Sequence, residues 1–243
     1  MVHLPFENRI EAGRLLAREL STHGLTAGNA VVLALVRGGV PVGFAVADRL
    51  RLPLDVIVAR KLGVPWQPEL AMGAIAGNTR ILDWRMIRQI GISDYDLEDV
   101  ISREQAEMRR REDRYRAGAP PLDVQKKAVV LVDDGLATGS TMLAAVRHLR
   151  TLEPARIIVA VPVGSGQACE RLRREADEVV CLATPPYFFA VGEWYIDFQQ
   201  VGDNEVRTLM FESREQLRKH LSSESRSESA AINEPAAHGA GFE

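Results

Sequence analysis

The chain has 243 residues, 46% of them hydrophobic, and a formal net charge of −3. That is ample apolar material for one large domain, and no apolar run approaches the roughly 18 residues of a membrane span. Thirty basic residues stand against 33 acidic ones, and residues 222–243 hold the whole imbalance, leaving 29 of each sign in the body. A neutral body gives no electrostatic case for nucleic acid or membrane as a partner.

The opening stretch has no apolar signal core and reads as an amphipathic helix over 8–22. "AVVLALV" (30–36) is an unbroken apolar run, the mark of a strand covered on both faces. "RGG" interrupts it, and a helix follows over 40–50 with Pro41 in its first turn. A second buried strand is expected over 54–60, then an irregular stretch, 61–84, in which two short strands join at Gly77-Asn78. Ser93, with Asp96 as capping-box partner, starts a long helix over 94–117. Strand 127–132, helix 139–151, strand 156–162, helix 166–175 and strand 178–182 complete the alternation, and a last helix covers 204–220. Residues 222–243 are rich in Ser, Glu, Ala and Gly without periodicity, which predicts a disordered tail after a domain spanning 1–221. Cys169 and Cys181 match neither a disulfide framework nor a metal spacing, so they read as packed thiols in a reducing cytoplasm.

Apolar strands alternating with helices predict an α/β fold with a mainly parallel, doubly wound sheet. Ligands of such sheets bind beyond the carboxyl ends of the strands. Three strand ends carry the chemistry. "VVLVDDGLATGST" (129–141) stops a buried strand at Asp133-Asp134 and then offers small and hydroxylated residues where a helix begins. Backbone N–H groups at a helix N-terminus are unpaired and suit a phosphate. The adjacent carboxylates suit hydroxyls or a hydrated Mg²⁺. A phosphate seat beside a diol seat describes a ribose 5-phosphate. The competing reading, that the acids merely cap the helix and the glycines merely turn, does not account for the whole string. A receiver-type acidic pocket would need its acid pair on the first strand and a distant Lys.

The string closely resembles the 5-phosphoribosyl-1-pyrophosphate (PRPP) motif of type I phosphoribosyltransferases. The resemblance covers about residues 8–215 and implies transfer of ribose 5-phosphate from PRPP-Mg²⁺ to a nitrogen acceptor, a nucleobase or related heterocycle, with release of pyrophosphate. It implies that Asp133 and Asp134 hold the ribose hydroxyls and the metal, that Ala137, Thr138, Gly139, Ser140 and Thr141 hold the 5-phosphate, and that Gly135 belongs to the same PRPP-binding string. Ala137 stands where 6-oxopurine enzymes carry a third carboxylate, so no proton transfer is expected there. Arg37, Gly38 and Gly39 match the family's diphosphate loop, often built on a cis non-proline peptide, with the glycines supplying conformational freedom. Arg60 and Lys61 match the base of a mobile hairpin that brings cations to the diphosphate. "GVPWQPELAMGAIA" (63–76) looks like a bacterial branch of the family whose acceptor is unassigned. Within it Glu69 has two readings of equal weight, orienting a base or a magnesium water, or lying at the surface.

Residues 184–206 concentrate Tyr187, Phe188, Phe189, Trp194, Tyr195 and Phe198 in a chain that is only 6% aromatic. This is a C-terminal aromatic hood in which some rings pack and others, from Phe188, Phe189, Trp194 and Tyr195, face the acceptor. The interleaved charges of 103–116 suggest a solvated face or a contact between two copies in a homodimer, with RNA binding the lesser reading. Two other functions fit the same residues: a regulatory protein that senses PRPP, and a ribose-phosphate hydrolase.

Overall fold

A computed structural model describes residues 3–232 of the chain. Helix α1 (Arg9–Leu20), strand β1 (Ala30–Leu35), α2 (Gly39–Leu50) and β2 (Leu54–Ile57) follow the expected order. Then come β3 (Ala59–Val64), β4 (Gln67–Ala76), β5 (Thr79–Leu82), α3 (Trp84–Ile90) and α4 (Asp94–Arg116). The second half alternates β6 (Ala128–Val132), α5 (Ser140–Arg150), β7 (Arg156–Val163), α6 (Gly166–Leu172) and β8 (Glu178–Ala183), and α7 (Asp203–Ile232) closes it.

β2-β1-β6-β7-β8 form one sheet, parallel throughout. From β1 the chain winds one way to β2, and from β6 it winds the other way to β7 and β8. The order reverses between β1 and β6, and a crevice opens there at the carboxyl edge. Alternate residues of these strands feed two cores. Val32, Ala34, Val130 and Val132 pack with α1, α2 and α7 on one face, and Val31, Leu33, Val129 and Leu131 with α5 on the other. Helices α2 and α5, which follow the two central strands, therefore start at the crevice from opposite faces.

Between β2 and α4 the expectation needs correction. The run 54–60 breaks at Val58, because Arg60 and Lys61 belong to β3 of a separate antiparallel sheet, β3-β4-β5. Its side chains Leu62, Met72 and Ile75 bury against Ile101 and Met108 of α4, while Ala74 and Ala76 join the α5 core. Asp55 of the edge strand β2 is buried, which composition alone does not suggest. It accepts from Arg116 Nε at 3.0 Å and from the Leu122 amide at 3.1 Å, so its charge is paired and bonded. Ser93 caps α4 by accepting the Asp96 amide, and the Asp96 carboxylate accepts in turn from the Ser93 hydroxyl. Helix α7 continues through Ile232, past the expected end at 220. Once nucleated on the core, a helix propagates through Ser, Glu and Ala without a breaker. The rest of the expected tail, 233–243, lies outside the described residues.

Candidate active site

Strand β1 ends at Leu35 and α2 starts at Gly39, so Val36, Arg37 and Gly38 make the whole turn. The Val36–Arg37 peptide is cis, as the resemblance implies. Gly38 and Gly39 are needed here for close approach rather than for unusual dihedrals. Gly38 has φ −57°, and a β-carbon on it would lie 2.2 Å from Asp134 Oδ2. A β-carbon on Gly39 would lie 2.7 Å from the Val132 carbonyl oxygen. The glycines let the turn after β1 lie directly against the acid pair at the end of β6.

Asp133 and Asp134 are half-buried there. Asp133 Oδ1 accepts the Asp134 amide at 2.9 Å, and Asp134 Oδ2 accepts Arg9 Nε at 2.8 Å. Among the described residues, Asp133 Oδ2 and Asp134 Oδ1 receive no donor. Burial raises both carboxyls above the ordinary carboxylate range; for Asp133 the neighbouring Asp134 charge adds to this, and for Asp134 the Arg9 guanidinium opposes it. A cavity of about 380 Å³ opens on the pair, lined by Arg9, Arg37, Gly38, Phe198, Gln200 and Val201 besides the two acids.

Past the acids, Leu136 bridges to Gly164 and Ser165 donates to the Ala137 carbonyl at 2.7 Å, so the loop rests on the turn after β7. Gly139 adopts φ +70° at the N-terminus of α5 and caps none of its N–H groups. These first amides have no intrahelical acceptor. The hydroxyls of Thr138 and Ser140 lie 3.3 Å apart beside them.

Arg60, Lys61, Glu69 and Thr141 line a second cavity, of about 470 Å³, together with Val36. The cis peptide thus stands between two cavities, Val36 in one and Arg37 in the other. Arg60 is held by Glu104 of α4, Nε to Oε2 at 2.6 Å, which leaves exposed Lys61 as the unpaired cation of the two among the described residues. Arg37 lies 3.6 Å from Asp203 at the start of α7, and Asp203 also accepts from Tyr115 at 2.7 Å. That hydroxyl, ahead of Arg114 and Arg37, lowers the Asp203 carboxyl below its usual range.

The aromatic segment is mainly a packed cluster. Tyr195 is 5% exposed, packs on Phe6 and donates to the Asp134 carbonyl, while Phe188 stacks on Trp194. Neither these three nor Phe189 lines the acid-pair cavity. Phe189, 82% exposed beyond β8, is the member of the expected set with an open face. Rings that alternate in so short a segment bury each other, and the sequence cannot rank them. Sequence reading missed Arg9 and Asp203, and it counted Phe198 in the aromatic segment without placing it at the site. Only Arg9 left a signal: a cation in the first turn of a helix opposes the helix dipole.

A cis turn and an acid pair at the switch point, with helix N-termini on either side, define a phosphoribosyl transferase fold. The chain belongs to that family: it matches the Phosphoribosyl transferase domain over residues 6–199. It is 45% identical over 202 residues to a Mycobacterium tuberculosis protein provisionally named a phosphoribosyl transferase, covering 83% of this chain and 45% of that one. The chain thus spans about half the length of that curated relative. The crystal structure of TT1426 from Thermus thermophilus superposes with a TM-score of 0.73 at 43% identity, over 86% of this chain and 99% of the other. A shorter likeness, 39% identity over 67 residues, links 27% of the chain with 24% of the ribose-phosphate pyrophosphokinase of Pyrococcus furiosus. No helix among the described residues is long and apolar enough to cross a membrane.

Proposed function

We propose that the chain transfers ribose 5-phosphate from PRPP to a ring nitrogen and releases pyrophosphate. One observation carries this reading: two helix N-termini start at the crevice from opposite faces, and between them an acid pair keeps two carboxylate oxygens without donors. PRPP has the matching order, with an anion at each end and a diol between. The 5-phosphate is assigned to the amides and hydroxyls of 137–141, and the hydroxyls to Asp133 Oδ2 and Asp134 Oδ1. The diphosphate is assigned to the start of α2, with Arg37 and Lys61 as cations.

The acid pair fits Mg²⁺, which takes one or two carboxylates plus substrate oxygens and keeps its other waters. Among the described residues no group of three or more His, Cys, Asp or Glu could form an all-protein cage. Asp133 and Asp134 would hold the ion, which when bound supplies positive charge to the leaving diphosphate. The bond from C1 to the diphosphate oxygen breaks, the electron pair leaves with pyrophosphate, and the acceptor nitrogen's lone pair forms the new bond to C1. The sugar passes through an oxocarbenium-like state, as in glycoside cleavage. Arg37, Lys61 and the α2 amides stabilise the departing charge, while the acid pair and phosphate loop fix the sugar in reach of the nucleophile. No side chain forms a covalent bond.

The test follows pyrophosphate release from PRPP with Mg²⁺ against a panel of nitrogen heterocycles. Release that depends on one acceptor supports the transfer. Equal release without any acceptor would make the chain a hydrolase, and PRPP binding without turnover of any panel member would make it a sensor.

A further inference from the structure

We infer that Arg9 is a positioning residue that fixes Asp134 for the ribose; this rests on the PRPP reading above. Arg9 occupies the first position of α1, where a cation meets the positive end of the helix dipole. Its place there therefore calls for a partner that outweighs the dipole, and the structure supplies three. Nε donates to Asp134 Oδ2 at 2.8 Å, NH1 donates to the Gln199 carbonyl at 2.9 Å, and the guanidinium carbon lies 3.8 Å from the centre of the Phe198 ring. The residue is 9% exposed, so these contacts are made largely away from water.

The approach of Arg9 is itself constrained. Phe6 donates its amide to the Trp194 carbonyl and accepts from Ile196, and Glu7 accepts from Asp197, so the chain entering α1 pairs with the segment before Phe198. Guanidinium, ring and carbonyl are thereby locked in one register. A planar fork held from three sides leaves the carboxylate one orientation. With Oδ2 turned to Arg9, Oδ1 is the oxygen of Asp134 that receives no donor among the described residues and is open to a ribose hydroxyl. Arg9 touches no substrate in this scheme; it acts through Asp134.

The experiment measures binding of Mg²⁺-PRPP and of metal-free pyrophosphate to wild type, Arg9→Met, Arg9→Lys, Asp134→Asn and the Arg9→Met/Asp134→Asn double variant. Pyrophosphate without metal has neither the diol nor the ion that the acid pair would hold, so it separates aim from general integrity. Arg9→Met should weaken PRPP about tenfold or more, the size expected for a lost charge-assisted bond, and leave pyrophosphate within about threefold, the ordinary scatter between unlinked sites. Added to Asp134→Asn it should cost little more, because the carboxylate whose charge and aim it sets is already gone. Arg9→Lys keeps the charge without the fork, retains the fold if methionine does not, and should fall between wild type and Arg9→Met. Unchanged PRPP affinity in Arg9→Met, a parallel loss of both ligands, or additive losses in the double variant would each overturn the role of Arg9 and leave the PRPP reading standing. A wild type that binds pyrophosphate but not PRPP would overturn that reading, and this inference with it.

Discussion

Tyr195 donates its hydroxyl to the backbone carbonyl of Asp134 at 2.6 Å, which joins the aromatic segment to the acid pair. The ring itself is buried between Phe6 and Phe198, with centroids 5.5 and 5.1 Å away. Burial pushes its phenol well above the ordinary range, so it stays a donor across working pH.

Tyr195→Phe keeps the packing and removes the donor, leaving a buried carbonyl unpaired. Stability should fall by about 1–3 kcal/mol, and PRPP affinity should fall with it as the acid pair loses its brace. Urea unfolding of the two proteins measures the first effect. Unaltered stability would mean that the bond contributes nothing net.

Asp133→Asn should raise stability at neutral pH while it weakens PRPP. The Asp133 carboxyl is raised in the folded chain, so the native state binds more protons than the unfolded one and stability declines as pH climbs from the unfolded carboxylate value through the raised one. Removing the charge removes that decline, and asparagine Oδ1 can still accept the Asp134 amide. Melting curves should coincide near pH 4 and separate in favour of the variant toward pH 7. PRPP affinity should drop about 10- to 150-fold, from the loss of one charged acceptor worth about 1.5–3 kcal/mol.

Binding of Mg²⁺-PRPP should release protons, because burial keeps the two carboxyls more protonated than free aspartates and the ligand requires their ionised forms. Calorimetry in buffers of different ionisation enthalpy reads this directly, and affinity should increase with pH across the titration. Identical heats in all buffers would show both acids already ionised.

Gly38→Ala puts a methyl group 2.2 Å from where Asp134 Oδ2 now lies. The carboxylate must move, and the Arg9 pair with it. PRPP affinity should fall at least tenfold, by the loss of that charged bond, in a protein whose far-ultraviolet dichroism is unchanged. Full affinity would show that the turn gives way instead.

Lys61→Ala should lower kcat by about two to three powers of ten, as expected for one preorganised charge on a leaving group, with a smaller loss in PRPP binding. Arg37→Ala should weaken binding and turnover together, since on the proposed reading the turn carrying it already holds the diphosphate of resting PRPP. Wild-type turnover in Lys61→Ala would place that lysine in solvent only.

The fold was legible wherever one physical rule governs a segment. Runs such as 128–132 and 156–163 are apolar because both faces are covered, and the alternation with helices then dictates a parallel sheet. The turn from β6 into α5 was legible because a tight entry to a helix N-terminus favours small residues there. The β4–β5 turn at Gly77-Asn78 was legible too, but the start of the small sheet was not, since Arg60 and Lys61 extend an apolar run without marking the change of sheet at Val58. The parts that Arg9, Phe198 and Asp203 play at the candidate site were hidden for another reason. Each acquires its role from a partner more than 80 residues away, Asp134, Arg9 and Tyr115 respectively, and no local pattern records such a meeting.

The small sheet beside the site has a fixed root and a free tip. Leu62, Ala74, Ile75 and Ala76 are core residues, so they cannot swing without opening the α5 and α4 contacts. Pairing becomes irregular between Leu62 and Val64, and beyond it Trp66 is 63% exposed and Glu69 is also at the surface. Val64 is still buried with Leu62 and Met72, so the exposed tip begins beyond it and is only a few residues long. Lys61 sits on the root side, so its ammonium is already stationed at the cavity and arrives by the length of its own stem. The tip can carry Glu69 and an indole over the mouth, a carboxylate and an apolar plate. On the proposed reaction, such a tip would bring cover from water rather than positive charge.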